Sequence, residues 1–131
     1  GDKEWLERIE SRLPSIVVAA TEGFTPEGGM IYEKMGDHID GDRHWWVQAE
    51  AAVGYFNLWE HFGAHEGLEN AIHCWEYIKK ELVDQKNGEW FWSVRADGSI
   101  NRVEDKAGFW KCPYHNGRMC LEIIERIAHV R

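Results

Sequence analysis

Apolar positions recur at helical spacing in several stretches of the chain, and the segments between them are rich in glycine and acidic residues. Trp5, Ile9, Leu13, Ile16, Val17 and Ala20 trace the first such face, and Pro14 within it predicts a kink or a division of the segment. From Thr21 to Arg43 the composition changes to Gly, Pro, Asp and Glu, with Gly28, Gly29 and Gly36 placed for turns, so a long loop is expected. Ordered loops of that length commonly carry function. From His44 to Phe62 the spacing predicts one helix with two stripes: an apolar one of Trp45, Ala49, Ala52, Phe56 and Trp59, and a mixed one of Trp46, Glu50, Val53 and Asn57. Gly63 is placed to end that helix, and Leu68, Ala71, Ile72, Trp75, Ile78 and Leu82 predict an amphipathic helix ending near Asn87 and Gly88. Glu89 to Val94 alternates large and small side chains before the turn residues Asp97 and Gly98, which predicts a short β-hairpin or irregular excursion reaching toward Val103. A last helix, starting near Asn116, is expected to bury Cys120, Ile123, Ile124, Ile127 and Val130.

Helices alternating with loops and little strand predict an all-α architecture of packed helical hairpins. At 131 residues, 44% of them hydrophobic and only three of them proline, residues 1–131 have the size and composition of a single folded domain. The formal net charge of −8 excludes the clustered Lys and Arg on which phosphate-backbone affinity depends, so nucleic acid is not an expected partner. No apolar run approaches the roughly 18 residues of a membrane span, and no membrane association is expected. Cys74, Cys112 and Cys120 are three, so they cannot all pair within the chain, and no charged leader with an apolar stretch precedes them. A reducing, cytoplasmic compartment is therefore expected.

Composition adds one further signal, the eight tryptophans. A large indole can fill a core, but a surplus is often spent on flat apolar ligand faces such as those of pyranose rings. Core packing is preferred for Trp45, Trp59 and Trp75, whereas Trp46 and Trp110 are candidates for stacking on a sugar. Trp110 opens the densest segment of the chain, Trp110-Lys111-Cys112-Pro113-Tyr114-His115-Asn116-Gly117-Arg118, which sets an aromatic platform, a histidine and a helix start side by side. Aromatic rings beside a His suggest a sugar site with acid/base chemistry. His115 near a helix N-terminus would be held neutral by the positive end of the dipole, which suits a base; from position alone a structural role is the more common one. Glu50, one turn from Trp46 on the edge of an apolar face, needs a polar partner if buried and should line something polar; a surface ion pair is the plainer alternative. Metal binding is not expected. Cys112 and His115, and His61 and His65 with Gly63 between them, fall short of the three or four ligands of a zinc site. Asp37, Asp40 and Asp42 fail the calcium-loop spacing. No nucleophile elbow, phosphate-cradling loop or dinucleotide fingerprint is present, which lowers the odds of serine hydrolases, kinases and dehydrogenases.

The segment from Trp110 to Arg118, read together with Arg43-His44-Trp45-Trp46-Val47-Gln48-Ala49-Glu50, resembles the N-acylglucosamine 2-epimerase superfamily, and within it the cellobiose 2-epimerases most. The resemblance runs over nearly the whole chain but covers only the C-terminal third of those enzymes, which are (α/α)6 barrels. It implies part of such a barrel here, with apolar flanks left to drive homo-oligomerisation. It implies a sugar 2-epimerase without cofactor or metal, interconverting glucose and mannose at the reducing end of a β-linked disaccharide such as cellobiose. His115 is then a catalytic base paired with Glu50, Trp46 and Trp110 bind substrate, and Arg43 and His44 have supporting roles. Family members use a second histidine and an arginine on preceding segments, and neither has a match here; His38 is the nearest by sequence, but its loop does not resemble the motif. An isolated chain with one base is expected to be inactive. An N-acylglucosamine 2-epimerase, a mannose-type aldose-ketose isomerase, a non-catalytic sugar-binding module and an inert structural fragment are the alternatives.

Overall fold

The computed structural model describes residues 2–129. The first apolar stretch forms α1 (Asp2–Glu10) and α2 (Leu13–Ala20), divided just before Pro14, which occupies the first turn of α2 where its missing N–H costs nothing. A 3-10 turn, Thr21–Gly23, leads into the loop. That loop is more structured than its composition predicts: it folds a small antiparallel hairpin of β1 (Glu33–Met35) and β2 (His38–Asp40), with Met35 opposite His38 across Gly36 and Asp37. Gly36 sits at φ 59°, which a two-residue hairpin turn requires.

β3 (Arg43–His44) runs directly into α3 (Trp45–Phe62), and Gly63 at φ 68° ends that helix in the left-handed conformation. α4 (His65–Tyr77) follows after Ala64 and closes in a wide π turn, Ile78–Leu82. The two helices form a hairpin and approach tightly at Gly67, where an added Cβ would come within 2.7 Å of the Tyr55 carbonyl oxygen and 2.8 Å of the Trp59 amide nitrogen. Only glycine lets the helices meet there. β4 (Ser93–Val94) pairs with β3, Arg43 opposite Val94 and His44 opposite Ser93. Of the short hairpin or irregular excursion expected toward Val103, the chain forms a minimal turn-back in which Val94 bridges Ile100, while the strand's main partner is the segment entering α3. α5 (Tyr114–His129) begins two residues before the expected start.

The core lies between α3, α4 and the first turns of α5. Trp45, Ala49, Ala52 and Phe56 of the predicted apolar stripe are buried, with Trp59 half-buried beside them, against Ala71, Cys74, Tyr77, Ile78, Leu82 and Met119. Burial pushes the Cys74 thiol up to about 12, so this thiol is a core residue rather than a nucleophile. The long loop is fastened to α3 by Gln48. Its fully buried amide accepts from the Met30 N–H (2.7 Å) and donates to the Met30 carbonyl (2.8 Å), as a neighbouring strand would. Arg126 of α5 donates to Glu60 of α3 (2.9 Å) and lies over the Phe56 ring, which ties the far end of α5 down.

Other apolar expectations are corrected. Ile124 and Ile127 of α5, and Ile72 and Trp75 of α4, are exposed, and Cys120 and Ile123 are half-buried. Val130 lies outside the described residues. Trp5, Ile9, Leu13 and Ile16 are exposed as well, as unmatched flanks would be. Each of these helices has an apolar face that no other described element covers.

Candidate active site

α3 and α5 bring Glu50 and His115 together across 65 residues of sequence. His115 stands in the first turn of α5, following Pro113 and Tyr114, and its Nδ1 lies 2.7 Å from Glu50 Oε1. The other carboxylate oxygen, Oε2, accepts from the Arg118 guanidinium, which sits one turn along α5 and also donates to Glu122 at 3.0 Å. Burial pushes the Glu50 carboxyl up, but the hydrogen bonds and positive charge of Arg118 and His115 outweigh it and hold the pKa below the ordinary carboxylate value. The carboxylate is therefore ionised at neutral pH and offers acceptors only, so His115 Nδ1 carries a hydrogen. A neutral imidazole oriented in this way turns the Nε2 lone pair outward, which is the form a general base needs.

The surroundings are aromatic. Trp46, on the same helix as Glu50, has its ring centroid 5.9 Å from that of His115, and Tyr114 lies at 4.9 Å nearly perpendicular. Trp45 lies edge-on at 6.4 Å and is itself packed on Trp92 at 4.6 Å, so it forms the buried backing of the site. Tyr32, from the long loop, lies against His44 with ring centroids 4.3 Å apart and planes tilted by 30°, and meets Trp46 edge-on at 6.0 Å. His44 is half-buried, and desolvation lowers its pKa despite the opposing charges of Asp42 and Asp40. The side chains of His115 and Glu50 remain 32% and 36% accessible, so they line an open shelf.

Among the described residues no aromatic ring pair joins Trp110, the other predicted substrate contact, to Trp46 or His115. Trp110 is 79% exposed, and its ring neighbour is Phe109, edge-on at 4.9 Å. Cys112 is exposed. Among the described residues no group of three or more His, Cys, Asp or Glu side chains converges as a metal site would require. The sequence reading missed Arg118 and Tyr32. Arg118 had a usable signal, since residues three apart on a helix share a face and His115 was already assigned to it. Tyr32 had none, because its place depends on how the loop folds.

The sequence model of the N-acylglucosamine 2-epimerase (GlcNAc 2-epimerase) family matches residues 2–117. The chain belongs to the N-acylglucosamine 2-epimerase family. It is 60% identical over 126 residues to a cellobiose 2-epimerase of Bacteroides fragilis, which covers 95% of this chain and 32% of that protein. A cellobiose 2-epimerase of Ruminococcus albus is 45% identical over 101 residues, 76% of this chain and 26% of the relative. A solved sugar epimerase from a ruminal bacterium superposes with a TM-score of 0.88 at 37% identity, over 96% of this chain and 33% of that one. The chain thus spans about a third of the length of the epimerases it matches. No helix among the described residues is long and apolar enough to cross a membrane.

Proposed function

We propose that residues 1–131 form one domain, the C-terminal portion of an (α/α)6-barrel sugar epimerase, and that they carry one wall of the catalytic cleft of a cellobiose 2-epimerase-like enzyme. The observation that carries this reading is the Arg118-Glu50-His115 chain, with Glu50 Oε1 2.7 Å from Nδ1. In the open-chain sugar, the C2 proton passes to His115 Nε2, the C–H electron pair becomes the C1–C2 double bond, and the carbonyl pair moves onto O1 as an enediolate. Return of a proton to the opposite face of C2, with the O1 pair re-forming the carbonyl, gives the epimer. Glu50 orients His115 and stabilises the imidazolium while the proton is held, and Arg118 keeps Glu50 ionised so that it does not take that proton. Such a positioned base contributes about 10²–10⁴-fold. Trp46 stacks on the sugar, and Trp110 reaches it only when its loop is closed over the shelf by further chain. The reaction uses neither metal nor cofactor.

The second face of C2 requires a second base, and no described side chain of this shelf is assigned to it. The chain alone should therefore form no epimer. Its free thiols suit a reducing, cytoplasmic compartment, and its exposed apolar flanks suit either self-association or contact with the rest of a longer barrel. Incubation with cellobiose in D2O, followed by NMR, tests the reading. Deuterium at C2 without glucosyl-mannose, abolished in His115→Ala, is the expected signature of one working base. Epimer formation would overturn the one-base assignment, and a ketose product would move the chain to the isomerases. Sugar binding unchanged in His115→Ala with no exchange would make it a binding module.

A further inference from the structure

Glu89 is the only non-glycine residue at positive φ (59°) among the described residues, and its carboxylate reaches into the segment that carries His115. A single oxygen, Oε1, accepts three hydrogen bonds: from the Trp90 N–H (3.0 Å), the Lys111 ammonium (2.9 Å) and the Asn116 amide (2.8 Å). Lys111 precedes His115 by four residues and Asn116 follows it directly. The same carboxylate oxygen thus grips the chain on both sides of the histidine.

Both arms are buried. Lys111 is 1% exposed, its Nζ also donates to the Lys106 carbonyl (2.7 Å), and it lies 5.4 Å over the ring of Trp45. That ring backs the site and touches His115 edge-on. Asn116 is 7% exposed, and turning its amide nitrogen to Glu89 leaves its Oδ1 buried without a partner, an arrangement that only a strong acceptor sustains. Burial raises the Glu89 carboxyl, but the Trp90 N–H, Lys111 and Asn116 together hold it below the ordinary range, so it is a charged acceptor at neutral pH. A staple serving stability alone has no reason to bracket His115. The neighbouring ion pair of Lys106 with Asp84 (2.6 Å) closes the loop around Gly88, and it meets the clamp only through the Lys106 backbone carbonyl that accepts from Lys111, with no side chain on His115 or Glu50.

We propose that Glu89, acting through Lys111 and Asn116, is a positioning residue for His115: it fixes the first turn of α5 so that Nδ1 stays on Glu50 and Nε2 faces the substrate. The assignment rests on His115 being the base of the proposed reaction, but its test does not need activity. With ¹⁵N-labelled histidine, the long-range proton–nitrogen NMR spectrum reports which ring nitrogen carries the proton, read at about pH 8, above the ordinary imidazole range. The intact chain should show a single Nδ1–H form for His115. Glu89→Gly, which suits the positive φ while removing the carboxylate, should lose that single form and give mixed tautomers. Asn116→Ala should do the same with the Lys111 pair intact, and it carries the test if Glu89→Gly loses its helical circular dichroism. Asp84→Asn should leave the tautomer unchanged. A single Nδ1–H form retained in a folded Asn116→Ala chain would overturn the proposal, as would mixing in Asp84→Asn equal to that in the clamp variants. A chain that passes this test yet never exchanges the C2 proton of cellobiose would overturn the working half-site, favour an inert fragment and leave the clamp standing.

Discussion

α3 and α4 meet so closely at Gly67 that no Cβ fits between them, whereas α1, α2 and the outer side of α5 hold Trp5, Ile16 and Ile124 out to solvent at 61%, 64% and 67% exposure. Both regions have the same apolar periodicity, and only one has a partner. The hydrophobic stripe of a helix states that a face must be covered; it does not state whether the covering element lies in the same stretch of chain. In a chain that spans about a third of the length of its relatives, the seam is covered within the segment and the flanks are not. The polar half of the contrast follows the same line. Glu50, His115 and Arg118 find one another within the segment, but on a shelf open on one side.

The contrast can be broken most severely at its buried pole. Leu82, fully buried where the π turn closes α4, should cost about 2–5 kcal/mol as Leu82→Ala, measured by urea unfolding followed by circular dichroism. A loss under about 1 kcal/mol would mean that the seam is looser than its burial implies. Gly67→Ala should cost about 1–3 kcal/mol in the same assay, because its methyl would meet backbone atoms that cannot turn aside. Glu50 sharpens the comparison through pH. Its folded pKa is depressed, so the stability it contributes is present above the unfolded carboxylate value and is lost as pH falls through the folded one. The stability advantage of the natural chain over Glu50→Gln should be intact at about pH 6 and shrink once pH drops below about 4.3. An advantage that grows on acidification would show that the pairing with Arg118 and His115 is absent in solution. The flanks should show the smallest effect: Ile16→Ser with Ile124→Ser should leave stability within about 0.5 kcal/mol while lowering self-association in sedimentation velocity. A large loss of stability would mean that those faces are already covered within the chain.

Much of this arrangement was legible residue by residue. The helix spanning Trp45 to Phe62 followed from its spacing, and Gly63 from its place just after it. The break before Pro14 followed from the missing N–H. His115 and Glu50 stood out because an acid/base residue beside indoles is a chemical signal that survives without coordinates, and their motif carried a resemblance that named the partnership. These are local facts of backbone sterics, periodicity and side-chain chemistry, and sequence encodes them directly. Other features depended on contacts between distant segments. Gln48 holding Met30, β4 choosing β3 over its neighbour, Tyr32 reaching the shelf and Glu89 gripping both sides of His115 each join residues whose proximity arises only when the chain is folded. The sequence determined which groups could do chemistry and which faces had to be buried. Tertiary structure decided which of them meet, because hydrogen bonds and packing act over a few ångströms in space, whatever the separation along the chain.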